Sequence, residues 1–476
     1  MTSRRARMTL FDKLWDRHLV CRLDSGEDLI AIDRVFLHER TGGVALASLA
    51  ERNLPILDPG RVYCTMDHIV STLPGRGADD ARMPGGETFI TETRRQARRA
   101  GINLIDVNDP RQGIVHVVAP ELGIVQPGMT LVCPDSHTCS LGALGALAWG
   151  IGSSEAEHAM ATGTLRLTKP KNMRITIDGT LARGVTAKDL VLHIIARIGV
   201  GAGKGYAVEY AGSTIAAMDV EARLTLCNMA VEYAAFTAVI APDGVTQSYL
   251  EGRPHAPTGA LWEQACADWM SLRSDSDAGY DVEYHFQAED VLPMVTWGIS
   301  PEQAIPADGT IPAIDSLPPD KRESARRACE YMGVRPGMPL AGLPISGVFI
   351  GSCTNARLSD LRAAAAVLRG HRVAPGIRAI CVPGSQTVKR AAEKDGLDQV
   401  FIDAGFEWRE PGCAMCFYAG GEHMGEGARV ASTTNRNFES RQGPRTRTHL
   451  MSPAMAAAAA ITGTLVDGRA LTEVSS

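Results

Sequence analysis

Four short apolar runs in the last third of the chain limit its fold more than any other feature. They are "GVFIG" (347–351), "IRAICV" (377–382), "QVFIDAG" (399–405) and "ARVAST" (428–433). Each has the length and composition of a strand. The first three are separated by helical segments such as "LSDLRAAAAVLRG" and "SQTVKRAAEKDG". Strands that alternate with helices are joined by crossovers, which makes parallel sheets covered by helices, the α/β class. The pattern recurs upstream, where "GMTLVC" (128–133) reads as a buried strand. "KNMRITIDGTLARGVTAKDLVLHIIARIG" reads as a strand followed by a helix that Thr186 caps. In "SPAMAAAAAITG", Ser452 is an N-cap, Pro453 opens the helix and Gly463 stops it. The stretch 301–342, rich in Pro, Asp and Gly, reads as a linker.

With 476 residues the chain exceeds what one hydrophobic core usually serves, so several domains are expected. Its formal net charge of −6 gives no basic stripe for nucleic acid, so none is expected as a partner. No stretch approaches the ~18 uncharged apolar residues of a membrane span. The basic start "MTSRRARMTLFDKLWDRHLV" lacks the apolar run of a signal peptide. Eleven cysteines, odd in number and mostly isolated, are not a secreted disulfide framework, so a reducing cytoplasmic setting is expected.

In open α/β sheets, ligands bind beyond the carboxyl ends of the strands. Cys353 follows "GVFIG", Cys413 and Cys416 follow "QVFIDAG", and Asn435 with Arg436 follow "ARVAST", so all should converge on one sheet edge. The spacing of "CAMC" alone does not decide its chemistry. It suits a pair of core thiols, or half of a zinc site that His423 could extend; a redox disulfide of the thioredoxin type fits poorly. Three thiolates, Cys353, Cys413 and Cys416, would also suit an iron–sulfur cluster, because soft sulfur selects iron–sulfur or zinc. A [4Fe–4S] cluster held by three cysteines leaves one iron open, a Lewis acid for an oxygen ligand.

Acid–base groups cluster as well. Asp67 and His68 stand in "TMDHIVST", His116 in "QGIVH", and Asp135, Ser136 and His137 in "PDSHT", each at the end of an apolar, strand-like run. An Asp beside a His orients the imidazole and holds its proton, which makes a general acid near neutral pH. Singly, each reads as a capping Asp and a surface His; three together point to a site. "NRNFESRQGPRTRTH" brings Arg436 and Arg441 together with Asn435 and Asn437. Arginine's planar fork matches carboxylates, so a small di- or tricarboxylate is the expected ligand.

Taken together, "MDH…QGIVH…DSHT…GSCTN…PGCxMC…NRNFExRQG" resembles the aconitase superfamily, over nearly the whole chain. Within it the chain looks most like the isopropylmalate dehydratase branch. The resemblance implies a three-domain α/β/α fold around an Fe–S cluster, divided at 1–170, 171–284 and 285–476. It implies one [4Fe–4S] cluster per subunit, bound by Cys353, Cys413 and Cys416, with one iron free of cysteine. Asp67 and His68 match the pair that protonates the departing hydroxyl. His116, Asp135, His137 and Glu232 match residues around the hydroxyl, while Ser136, Asn228, Asn435, Arg436 and Arg441 match substrate and cluster contacts. The implied reaction is reversible loss and re-addition of water on a 2-hydroxy diacid through an enediacid, in leucine synthesis for this branch. The family's base is a serine on a swivelling domain. Nothing after Ser452 has room for one, so a small swivel-domain subunit is expected as partner, in a heterodimer or heterotetramer.

Several positions depart from that branch. Ile69 stands where Asn is expected, Phe236 where a basic residue is, Gly244 where an acid is, and Ser440 where Gly is. "HERTGGVAL" (38–46) differs from the usual "HEVTSPQAF". Ile69 adjoins the acid pair and could reshape a pocket. The departures therefore keep open a sister hydratase of a smaller cis-enediacid, such as maleate, citraconate or dimethylmaleate. A cluster-sensing RNA binder is a third reading, against which the acidic balance and the full acid–base set both argue.

Overall fold

Most of the apolar runs of strand length are followed by a helix that packs on them, and the result is three parallel sheets. The computed structural model describes residues 7–472; the first six residues of the basic amino-terminal stretch lie outside them. The first sheet orders Asn103–Ile105, Val62–Thr65, Arg34–His38, Thr130–Cys133 and Leu147–Gly150, every pair parallel. The second orders Thr237–Ile240, Tyr206–Ala211, Lys171–Asp178 and Val282–Gln287, also parallel. Its last strand straddles the boundary expected at 284. The third orders Glu407–Trp408, Arg378–Cys381, Gly347–Ile350, Arg429–Ser432 and Arg447–Leu450, again parallel. A three-stranded antiparallel sheet of Leu19–Arg22, Asp28–Ala31 and Thr164–Leu167 lies beside the first.

Local chemistry explains the elements that were expected. In Lys171–Asp178, Met173, Ile175 and Ile177 alternate into the core. The helix Ala187–Ile198 opens on a capping box in which Asp189 accepts from the Thr186 backbone and hydroxyl. Pro453–Thr462 ends at Gly463 in the left-handed region. Its alanines 456–460 are fully buried, and their small side chains let it pack closely on Leu358–Leu368.

Two expectations fail. "QVFIDAG" is not a strand: Leu397–Ala404 is a helix, and the strand is the following Glu407–Trp408. Leu397, Phe401 and Ala404 are its buried positions, at helical spacing, while Ile402 faces solvent. The β-branched residues suggested a strand, but the spacing of the buried ones wins. Residues 301–342 are not a linker either. They hold the strand Ala304–Pro306 and the helix Arg322–Met332, which buries Ala325, Ala328, Cys329 and Met332 in the third core. Small alanines among charged residues hid that apolar face.

Candidate active site

A parallel sheet leaves a crevice where neighbouring strands send their connections in opposite directions. In the first sheet that point lies between Arg34–His38 and Thr130–Cys133; in the third it lies between Gly347–Ile350 and Arg429–Ser432. The residues just beyond these four strands meet in one cleft of about 340 Å³. Its lining includes His38, Arg40, His68, Ile114, His116 and Asp135 from the first sheet's side, and Cys353, Cys413, Cys416, Phe417, Arg436 and Arg441 from the third. Ser136 and His137 also line it. His116 differs from the expectation in one respect: it sits in the first turn of the helix Val115–Glu121, not at a strand end.

The acid–base groups form two linked chains. His68 lies between two carboxylates, with Nδ1 2.6 Å from Asp67 Oδ1 and Nε2 3.0 Å from Asp135 Oδ2. Asp67 is fully buried and also accepts the Val115 N–H at 3.0 Å. Burial disfavours charge on His68, but Asp67, the Cys413 sulfur and Asp135 outweigh it and raise its pKa well above the usual histidine value. Burial also opposes the charge on Asp135, yet the surrounding histidines 116, 137 and 68 keep it well below the carboxylate range. The second chain runs from Asp135 to His137 (3.4 Å), to Glu232 (2.8 Å) and on to Arg436 (2.8 Å). Burial pushes His116 down to about 4, so it is neutral, and its Nδ1 is buried without a partner.

All three cysteines are buried and free of disulfides. Cys353 accepts from Asn228 Nδ2 at 3.1 Å and from Asn435 Nδ2 at 3.5 Å. Arg441 Nη2 reaches Cys416 at 3.6 Å, and Cys413 lies 3.7 Å from Asp67 Oδ2. Burial pushes the Cys353 thiol up to about 12 and holds that of Cys413 well above its usual value. A sulfur at this depth ionises only with a cation against it. Three buried sulfurs lining one cleft, with amide donors on Cys353 and a guanidinium on Cys416, are a donor set that fits a metal–sulfur cluster. His423, the other possible ligand, is exposed and accepts from the Gly425 N–H; it is not among the residues lining the cleft.

Several residues of the site escaped the sequence reading. His38 stacks on His68 with ring centroids 3.9 Å apart. Glu39 is buried and gathers the N–H groups of Asp67, Ile69 and Val70, which fixes the loop carrying the acid pair. Both stand at the end of "RVFLHE", the same strand-end position as the other motifs. Lys188 is fully buried and donates to Asn355 Oδ1 and to the carbonyls of Thr433 and Thr434, tying together the loops that carry Cys353 and Asn435. Of the departing positions, Arg40 of "HERTGGVAL" lines the cleft, while Ile69, Phe236 and Gly244 do not. Ile69 is buried against the helix start at Gly86, Phe236 packs on Trp149 at 5.6 Å, and Gly244 opens the helix Gly244–Leu250.

Residues 12–463 match the aconitase family (aconitate hydratase). The 3-isopropylmalate dehydratase large subunit 1 of Bradyrhizobium diazoefficiens is 52% identical over 464 residues, 97% of each chain. The large subunit of the same name from Synechococcus sp. (strain JA-3-3Ab) is 51% identical over 464 residues, 97% of this chain and 99% of that one. That from Thermus thermophilus is 48% identical over 462 residues, 97% and 98% of the two chains. A solved aconitase X from Thermococcus kodakaraensis aligns over 94% of this chain and 90% of its own, with a TM-score of 0.46 and 13% identity.

Proposed function

This chain belongs to the aconitase family, whose members carry a [4Fe–4S] cluster, and it is a hydro-lyase; from that premise we propose that it works as the large subunit of a 3-isopropylmalate dehydratase. The reaction would interconvert 2-isopropylmalate and 3-isopropylmalate through 2-isopropylmaleate. The observation that carries this reading is the single cleft in which a charged Asp67–His68–Asp135 chain faces three buried sulfurs and three arginines.

Cys353, Cys413 and Cys416 would hold one cluster per chain, with one iron left free of cysteine. When bound, the cluster supplies a Lewis acid for the substrate's hydroxyl oxygen. The chain's own residues do the rest. His68 holds a proton at Nε2, shared with Asp135, and gives it to the hydroxyl as the carbon–oxygen bond breaks; Asp67 at Nδ1 keeps the imidazole charged until then. The His137–Glu232–Arg436 chain stabilises the charge left on Asp135. Arg441 orients one carboxylate beside Ser136, Arg436 stays paired with Glu232 at the edge of the substrate, and Asn228 and Asn435 hold the Cys353 sulfur. The proton on the neighbouring carbon goes to a base on a small swivel-domain subunit, which would close the cleft in a heterodimer or heterotetramer. Water then returns at either carbon.

The setting would be cytoplasmic, which suits eleven reduced cysteines. No helix among the described residues is long and apolar enough to cross a membrane. The alternative, a hydratase of a smaller enediacid, loses the support of Ile69, Phe236 and Gly244, which stay out of the cleft, and keeps that of Arg40, which lines it. The test is an anaerobic hydration assay of the paired large and small subunits, following the loss of enediacid ultraviolet absorbance. Preference for 2-isopropylmaleate over maleate, citraconate and dimethylmaleate is expected; preference for a smaller diacid would overturn the substrate.

A further inference from the structure

Arg40 follows the strand Arg34–His38 at the first sheet's switch point, is exposed, and lines the cleft. Its guanidinium carbon lies 4.6 Å from the centre of the Phe417 ring. Among the described residues it has no carboxylate partner. Arg441 approaches the same ring at 5.7 Å and likewise has none, and its Nε is buried without an acceptor. The third cleft arginine, Arg436, is neutralised by Glu232. Arg436 is thus already taken by Glu232, and Arg40 and Arg441 are the cleft arginines without a carboxylate partner among the described residues.

A guanidinium packed on a ring keeps its N–H edge free for a planar anion and is held in place before that anion arrives. Arg441 already directs Nη2 at Cys416, so its remaining edge serves one carboxylate. A dianion needs a second guanidinium, and Arg40 stands beside the same ring. We infer that Arg40 is a substrate-binding residue that takes the second carboxylate of a diacid whose first is held by Arg441. This inference rests on the diacid reading above and adds a specificity-determining residue to it.

The test uses the assembled, cluster-loaded enzyme with 2-isopropylsuccinate, a saturated diacid that has no hydroxyl to lose, and with each of its two monoamides. Binding is measured by calorimetry for the wild type, Arg40→Gln and Arg40→Lys. Arg40→Gln should weaken the diacid roughly 10- to 100-fold, the size of one charge-assisted contact. It should leave one monoamide within about threefold of wild type, because that ligand lacks the carboxylate in question. Arg40→Lys should recover part of the loss. Equal weakening of the diacid and both monoamides, or no weakening of any, overturns the assignment of Arg40. A wild-type enzyme that binds no diacid overturns the functional reading instead, so the two failures are told apart.

Discussion

Replacing Asp67 with asparagine removes one charge from the acid pair at almost constant volume. The carbonyl of the new side-chain amide can still accept the Val115 N–H that Asp67 Oδ2 accepts at 3.0 Å. The amide nitrogen would then face His68 Nδ1, now 2.6 Å from Asp67 Oδ1, and would force that ring nitrogen to accept instead of donate. The strongest influence holding His68 charged against burial is lost, so the imidazole becomes neutral near pH 7. Loss of a general acid is worth about 10²–10⁴ in kcat, or about 3–5 kcal/mol in the barrier. The wild type should keep its kcat as pH rises past the usual histidine value, and lose it only when the raised pKa of His68 is passed. In Asp67→Asn that alkaline limb should move to lower pH. The assay is kcat against pH for the reconstituted enzyme, with the cluster absorbance of each preparation as a control. A kcat within about tenfold of wild type at every pH, or a loss that merely tracks cluster content, would refute this account of the pair.

Cys353→Ser should abolish the broad brown absorbance of the reconstituted chain; an unchanged iron and sulfide content removes Cys353 from the ligand set. Arg409→Met should destabilise the fold by about 3–5 kcal/mol, because Glu422, which takes Arg409 Nη1 at 2.7 Å and the Thr72 N–H, is then left charged at depth. Adding Glu422→Gln should restore part of that loss in denaturant titrations, and a double variant as weak as the single one would contradict the mechanism. Glu121, pushed up to about 7 by burial, binds a proton in the folded state between pH 4.5 and 7 that the unfolded chain releases. Stability should therefore fall as pH rises through 7, and Glu121→Gln should raise Tm at pH 8 but hardly at pH 4.5. An equal shift at both values would show that its charge is not the cause.

Strand-end placement made most of the site readable before any coordinates. The rule needs only an apolar run and the residues after it, and it located Asp67, Asp135, Cys353 and Asn435 beyond real strands. It succeeded for Cys413 through a wrong step, since "QVFIDAG" is a helix and the two-residue strand Glu407–Trp408 is too short to announce itself. Spacing within "CAMC" could not tell a metal site from core thiols, because the third sulfur is some sixty positions away and meets the others only through the sheet. "HERTGGVAL" holds Arg40 among the departures, but its pairing with Phe417 is invisible in the sequence for a related reason: it joins two sheets. Lys188 sits in the apolar helix "AKDLVLHII", where nothing local reveals that its three acceptors come from loops far along the chain. The departures at Ile69 and Phe236 drew suspicion because they neighbour functional residues in sequence; in space their side chains point elsewhere.

The central claim is that three cysteines hold a cluster whose remaining iron is reserved for substrate. The most direct measurement is the Mössbauer spectrum of the ⁵⁷Fe-reconstituted, assembled enzyme with and without 2-isopropylmalate. The account predicts four irons per chain, of which one changes its spectrum when the substrate is added. Four irons that ignore the substrate, or a site that retains zinc in place of iron, would contradict it.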